Sequence, residues 1–126
     1  MAHFVVAGRS NDPEFARAEA LGCHLAHNLP NFRVDIIMLP PPEWPDYQRT
    51  VYIQNGWDHR MSFDRKMKTP DQLDQMIWRR SGQLIGDTSD FVKLIWHAYR
   101  IQLNLPDSLL VEIAEENHRN LQLVRV

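Results

Sequence analysis

The sequence has 126 residues, of which 44% are hydrophobic and 24% charged, and it includes five Phe and four Trp. This length suits one domain with a core of its own, and the aromatic content excludes a wholly disordered chain. The net charge of −2 gives no electrostatic case for binding to nucleic acid or to an acidic membrane, since both call for clustered cations.

The N-terminal half of the sequence predicts two strands, each followed by a helix. The strands are short runs of β-branched and aromatic residues that end at glycine or proline, and the helices carry apolar residues at three- and four-residue spacing. In chain order we predict a strand at 3–7, a helix at 13–29, a strand at 33–39 and a helix at 46–55. Asn11 or Asp12 is predicted to cap the first helix.

The C-terminal half predicts a loop, a hairpin and two helices. Residues 58–74 are polar and basic, so we predict an exposed loop or insertion there. Two short strands near Ile77 and Leu84 are joined by Arg80-Ser81-Gly82, which is the spacing of a β-hairpin. One helix is predicted after 86–90, and a C-terminal helix is predicted over 107–121.

The predicted element order is β-α-β-α-β-β-α-α, which places the chain in the α/β class as a single domain over residues 1–126. We expect the first three strands to form βαβ units and the hairpin to add an antiparallel strand. This is the order of thioredoxin-like folds, with a four-stranded mixed sheet flanked by helices and an extra C-terminal helix. Periodicity alone is compatible with other α/β folds.

A colinear series of short motifs is more specific than the periodicity. Its members are spread over the chain: FVVAGR at 4–9, NLPNFR at 28–33, Trp44 with NGW at 55–57, IWRR at 77–80 with LIG at 84–86, and Phe91. Taken together, the series resembles the N-terminal glutaredoxin-like domain of the putative malate dehydrogenase family associated with cilia and sperm, here as a stand-alone small protein. The resemblance runs from Phe4 to about Asn117 and implies a thioredoxin/glutaredoxin-like fold and a ciliary setting.

The resemblance also locates the redox position of the fold, and this sequence departs from it twice. Asp12 and Pro13 match the Cys-Pro motif at the start of the first helix, and a carboxylate cannot attack a disulfide. Gln75 stands where the fold has its cis-proline. Gly86-Asp87 retains part of the turn that holds glutathione in glutaredoxins. We therefore predict a degenerate redox site with no cofactor.

Cys23 provides the alternative function, a small glutathione- or thiol-dependent redox enzyme. As the single cysteine, it excludes an intrachain disulfide and a zinc site built on several thiolates. Its place two turns into the first helix predicts a small, buried or half-buried core residue instead of a nucleophile. His24 and His27 lack a third ligand nearby, so we predict no metal site.

The sequence thus favours a redox-inactive structural or protein-binding module over an enzyme. In the relatives the dehydrogenase part follows this domain, and no GxGxxG motif is present here, so we expect no dehydrogenase activity. We expect a cytoplasmic protein of a ciliary or flagellar axonemal complex in the cytoskeleton. The expectation rests on the resemblance, and on an N-terminus too short for a signal peptide and no apolar run of about 18 residues.

Two surfaces are candidates for binding axonemal or microtubule-associated proteins; neither nucleic acid nor a membrane is expected as a partner. The first is the basic stretch of the 58–74 loop, with Arg65, Lys66 and Lys68. The second is the former active-site edge, which we expect to combine Arg9, Asn11, Asp12 and Trp44 with Arg79 and Arg80 of the hairpin. A loop of that length without regular structure is uncommon unless it is functional or disordered, which favours the first surface.

Overall fold

The computed structural model describes residues 2–60 and 68–124. In chain order its strands and helices are β1 (Ala2–Arg9), α1 (Pro13–Asn28), β2 (Phe32–Leu39), α2 (Trp44–Gln54), α3 (Trp57–Arg60), β3 (Gln75–Arg79), β4 (Leu84–Gly86), α4 (Thr88–Tyr99) and α5 (Asp107–Val124). Short 3-10 turns lie at Pro41–Glu43 and Pro70–Gln72. Among these helices, none has both the length and the apolar content needed to cross a bilayer.

The four strands form one mixed sheet in the order β2-β1-β3-β4. β1 pairs in parallel with β2, so that Phe4 lies opposite Val34, and in antiparallel with β3, so that Phe4 also lies opposite Arg79. β4 is antiparallel to β3, as the hairpin spacing predicted. The α/β class and the four-stranded mixed sheet of a thioredoxin-like fold are confirmed.

The direction of β3 corrects the expectation that the first three strands build βαβ units. Gln75, the first residue of β3, lies opposite Gly8 near the end of β1, so the two strands run in opposite directions. The reason lies in the segment between α2 and β3. Trp57 binds the hairpin, with its Nε1 donating to the Gly82 carbonyl at 2.8 Å, whereas Lys68 is bound at the other end of the sheet. The chain therefore re-enters the sheet where β1 stops.

The sheet separates two apolar cores, and alternate residues of β1 point into each of them. Phe4 and Val6 belong to the core beneath α1 and α4, together with Phe15, Phe91 and Ile95. Val5 and Ala7 belong to the core on the opposite face, beneath α2. The large side chains of that core are Trp44, Tyr52, Trp57, Met76 and Trp78.

Burial corrects two further expectations. Trp44 is only 2% exposed, so it is a core residue and takes no part in a binding surface. The segment 58–74 is not wholly an exposed loop, because Leu73 is completely buried and two short helical turns flank residues 61–67. Arg65 and Lys66 lie outside the described residues.

α5 packs against α1. Leu110 and Ala114 are buried in this contact. Polar groups add to it, since Asn117 Nδ2 donates to Glu19 Oε1 at 3.0 Å and Arg17 bridges to Asp107 at 3.2 Å. The C-terminal half of α5 lies at the end of the sheet at which α1 begins, because His118 contacts Ser10 just before α1.

Candidate functional site

The end of the sheet where β1 stops at Arg9 and α1 begins is here called the redox edge. Asp12 is the N-cap of α1, and its Oδ1 accepts a hydrogen bond from the Glu14 backbone N–H at 3.0 Å. Pro13 follows as the first helical residue, where its missing N–H costs nothing. The carboxylate thus takes up a free N–H group at the positive end of the helix dipole, the place at which a redox cysteine would gain its reactivity.

Gln75 connects Asp12 to the rest of the redox edge. Its buried side chain donates from Nε2 to Asp12 Oδ2 at 2.6 Å and accepts at Oε1 from the Thr88 backbone N–H at 3.2 Å. The Thr88 hydroxyl in turn donates to the Glu14 carbonyl at 2.8 Å. One amide side chain therefore joins the N-termini of α1 and α4. No cis peptide bond occurs in the described ranges, residue 75 included.

A second polar cluster lies at the N-terminus of α4. Asp87 caps the helix and forms a capping box with Asp90, while Lys68 Nζ lies 2.6 Å from Asp87 Oδ2 and 3.2 Å from Asp90 Oδ2. Gly86 has φ +132°, and a Cβ there would overlap the Asp90 carboxylate. At Gly86-Asp87, the part of the glutathione-binding turn that the resemblance identifies, the carboxylates of Asp87 and Asp90 thus bind Lys68.

The charges of this cluster are mutually stabilised. Partial burial raises the pKa of Asp87, but the hydrogen bond and charge of Lys68, with the Asp90 N–H, outweigh burial and hold that pKa below its usual value. The hydrogen bond to Asp87 is also the main cause that raises the pKa of Lys68. Lys68 is therefore committed to an internal ion pair.

Cys23 lies away from the redox edge and is exposed, so the expectation of a buried or half-buried core residue is wrong. It follows Asp12 by eleven positions, or about 16 Å along the helix axis. Partial desolvation, and next the charge of Glu19, raise the pKa of its thiol. Because the thiolate is the reactive form, this environment disfavours nucleophilic chemistry. His24 and His27 are also exposed, and the described side chains contain no group of three candidate metal ligands.

An open cleft of about 460 Å³ adjoins the redox edge, and no pattern in the sequence predicts it. It is lined by Asn11, the proline run at 40–42, and the side chains of His118, Leu121 and Gln122 on α5. His118 Nδ1 lies 2.9 Å from the hydroxyl of the buried Ser10, which anchors α5 beside α1. The spacing of the three α5 residues marks one helix face, but nothing local indicates what that face meets.

The predicted site residues fall into separate places. Asp12 and Lys68 lie at the redox edge. Arg79 and Arg80 lie at the opposite end of the sheet, because β3 runs antiparallel to β1 and carries the hairpin away from Asp12. The expected surface that combines the former active site with the hairpin is therefore wrong.

Comparison with known proteins identifies one family. The family model described as "Putative malate dehydrogenase 1B N-terminal domain" matches residues 3–125. Among curated proteins, "Putative malate dehydrogenase 1B" of Homo sapiens is 31% identical over 123 residues, which cover 93% of this chain and 21% of that protein. The proteins of the same name from Bos taurus and Branchiostoma floridae are 31% and 30% identical over 93% of this chain, and 24% and 21% of their own lengths are covered. The chain thus spans about a fifth to a quarter of the length of these relatives.

Proposed function

The chain belongs to the family of the putative malate dehydrogenase 1B N-terminal domain, as the motif series indicated, and we propose that it is a redox-inactive module that binds other proteins. The observation that carries the proposal is the hydrogen-bonded chain from Asp12 through Gln75 to Thr88. It occupies both positions that redox chemistry requires of this fold.

The chemistry of the redox edge supports a non-catalytic role. Disulfide exchange needs a thiolate that attacks and is regenerated, and an aspartate at the helix start supplies neither step. The Gln75 amide also takes up hydrogen-bonding groups that an incoming peptide would need. Buried polar groups are costly to leave unpaired, so a bound substrate would have to replace the hydrogen bonds of Gln75 to Asp12 and to Thr88.

We propose that this domain contributes no dehydrogenase chemistry of its own. The turn from β1 to α1 reads Gly8-Arg9-Ser10-Asn11-Asp12, which lacks the spaced glycines that bring a backbone close to a pyrophosphate. The activity in the relatives' names is a property of proteins four to five times as long as the matched region.

The proposed setting is a ciliary or flagellar axoneme, with axonemal or microtubule-associated proteins as partners, and neither nucleic acid nor a membrane. The support is the resemblance of the motif series to a family associated with cilia and sperm. The exposed Trp96 and Tyr99 and the arginines of the hairpin are side chains of the types that dominate protein interfaces.

Enzyme assays test the non-catalytic role. In insulin reduction and in glutathione-dependent reduction of a mixed disulfide, we expect the purified chain to show no turnover above background. Turnover that Cys23→Ser abolishes would contradict the proposal and establish the redox enzyme.

Two thiols at different positions of α1 test the assignment of residue 12 to the redox position. In a Cys23→Ser background, Asp12→Cys places a thiol at the N-terminus of α1, where we expect a pKa below the free value of about 8.5. The Cys23 thiol of the unmodified chain, whose pKa is raised, is the control. The measurement is the pH dependence of the alkylation rate, and equal pKa values at both positions would contradict the assignment of residue 12 to the redox position.

The setting is tested separately in ciliated cells that carry a tagged chain. The chain is expected to remain with axonemes after detergent extraction and to be released by salt, since docking through exposed charges is screened. A chain lost entirely with the detergent-soluble fraction would contradict the axonemal setting and leave the non-catalytic role intact.

A further inference from the structure

The end of the sheet that carries the β3–β4 turn, here called the hairpin end, has two cavities. One, of about 390 Å³, is lined by His3, Arg79, Arg80 and Ser81. The other, of about 380 Å³, is lined by residues that include Ala2, Phe32 and Tyr99. Phe4 connects the two cavities, because the Arg79 guanidinium lies over its ring and its ring stacks on Phe32, with 5.4 Å between the ring centres. Phe32 in turn packs against Tyr99.

The polar cavity lies in a local excess of positive charge. Asp35 is the acid bound there: its Oδ2 accepts from His3 Nε2 at 2.7 Å and lies 3.4 Å from Arg80 Nη1. The hydrogen bond from His3 lowers the pKa of Asp35 most, and the charges of His3, Arg80 and Arg33 lower it further. In the part of the chain that the structure describes, this carboxylate is the acid that contacts both His3 and Arg80, although the whole chain has a net charge of −2.

Arg79 is held in a defined orientation at the mouth of this cavity. Its guanidinium carbon lies 4.7 Å from the centre of the Phe4 ring, and its Nε donates to Gln83 Oε1 at 3.0 Å. Neither contact uses the terminal NH2 groups, which are the groups that form paired hydrogen bonds with a carboxylate. A guanidinium oriented in advance loses less freedom when it binds.

The apolar cavity and the adjoining end of α4 expose large aromatic side chains. Tyr99 is 38% exposed and packs edge-on against Phe32, with 5.9 Å between the ring centres. Trp96 precedes it by three positions on α4 and is 42% exposed, with the Arg100 guanidinium carbon 5.6 Å from the centre of its ring. Large exposed rings beside arginine are typical of residues that dominate binding energy.

We propose that the hairpin end binds an acidic peptide segment of a partner protein. Its carboxylates lie on Arg79 and Arg80, and one large apolar side chain of the segment fills the cavity beside Tyr99. The charge decides the class of ligand, because a local excess of arginine is complementary to an acidic chain. The inference rests on the proposed binding function and adds to it the chemistry of the partner.

The test uses three synthetic nine-residue peptides and the whole chain. The first peptide has glutamates around one central phenylalanine, the second replaces the glutamates with glutamine, and the third replaces the phenylalanine with glycine. Binding is measured by titration calorimetry and by amide shifts in NMR spectra. We expect the first peptide to bind best and to shift the amides of His3, Ser81 and Phe32.

Two variants test whether the glutamates of the peptide bind at Arg80 and whether its phenylalanine binds beside Tyr99. Arg80→Glu is expected to weaken the first peptide at least about thirtyfold, the loss that defines an interface hot spot, and to remove the preference for glutamate over glutamine. Tyr99→Ser is expected to remove the preference for phenylalanine over glycine. Arg49→Glu and Ile53→Ser, at exposed positions of α2, are the matched controls.

Four outcomes would overturn the inference. The first is that the first peptide does not bind at about 1 mM, the weak end of specific association. The second is that the α2 controls lose as much affinity as the two site variants, and the third is that a ten-nucleotide single-stranded RNA binds equally well or more tightly at the same amides. The fourth is that the amide shifts depend on protein concentration alone, which would assign this end to a second copy of the chain. Each of them leaves the redox-inactive role standing, whereas disulfide turnover by the unmodified chain overturns that role without affecting the peptide measurement.

Discussion

Gln75 is the residue that joins most of the redox edge, because its single amide binds the N-cap of α1 and the first residue of α4. The two partners belong to different helices and are separated by more than seventy positions in the sequence. Replacing this side chain affects two capped helix ends together.

Gln75→Leu is expected to lower the free energy of unfolding by about 1–3 kcal/mol, because it leaves the Thr88 N–H and the Asp12 carboxylate without their buried partner. The measurement is chemical denaturation at pH 7. Gln54→Leu, at an exposed position near the end of α2, is the control and is expected to change stability by less than about 0.5 kcal/mol. Equal effects of the two substitutions would contradict the role assigned to Gln75.

Asp87 provides a test that depends on pH. Its pKa in the folded chain lies below the usual 3.8, so its charge contributes stability above that value and loses it as the pH falls through the lower folded pKa. Asp87→Asn keeps a capping oxygen and removes the charge. We expect the variant to be less stable than the unmodified chain at pH 7 and the difference to shrink below about pH 4.

The control for this experiment is Asp71→Asn, at an exposed position in the 3-10 turn before β3. The stability of this variant is expected to follow that of the unmodified chain over the same pH range. A difference between Asp87→Asn and the unmodified chain that stays constant from pH 7 to pH 2 would show that the substitution acts through the cap alone, and the ion pair with Lys68 would then carry no stability.

At the scale of elements, the approach of α1 to β1 depends on Gly8. A Cβ at this position would lie 2.5 Å from Phe15 Cδ1 and 2.9 Å from Phe15 Cβ, so α1 cannot keep its distance from the strand if the residue is larger. Because α1 starts only a few residues later, this contact also determines where the N-terminus of the helix meets the redox edge.

Gly8→Ala is expected to cost about 1–3 kcal/mol through overpacking against Phe15. The double variant Gly8→Ala/Phe15→Leu relieves the overlap, and its loss of stability is expected to be smaller than the sum of the single losses by more than about 0.5 kcal/mol. Denaturation of the four proteins of the cycle measures this coupling. If the losses of stability of the two single variants simply add in the double variant, the overlap with Phe15 is not the cause of the destabilisation by Gly8→Ala.

At the scale of the whole molecule, the two cores share one sheet and are expected to unfold together. Phe91 lies in the core beneath α1 and α4, whereas Trp44, Trp57 and Trp78 all lie in the core on the opposite face. In a Trp96→Phe background, tryptophan fluorescence therefore reports on the core beneath α2, whereas a substitution of Phe91 changes the core beneath α1 and α4.

Phe91→Leu in that background is expected to lower stability by about 1–3 kcal/mol and to shift the fluorescence and far-ultraviolet circular dichroism transitions equally. The comparison is between the midpoints of the two transitions in the same denaturant series. A shift confined to circular dichroism would mean that the faces unfold as separate units.

The features that the sequence predicted correctly depend on residue identity and on spacing over a few positions. Asp12 as helix cap, the strands around Val5 and Ile36, and the hairpin after Ile77 are all of this kind. The absence of a thiol at position 12 is also visible in the sequence alone, because the motif series aligns Asp12 and Pro13 with the redox motif. Local sterics and capping chemistry decide such features before any tertiary contact forms.

The tertiary structure decided which of these features meet. The bond from Gln75 to Asp12 spans 63 positions and the contact of Ser10 with His118 spans 108, and no local pattern indicates either of them. The antiparallel direction of β3 separates Arg80 from the redox edge and forms the hairpin end, and the packing of α2 buries Trp44. Hydrophobic periodicity states which face of an element is apolar, but burial against a particular partner depends on the path of the chain between elements, which periodicity does not contain.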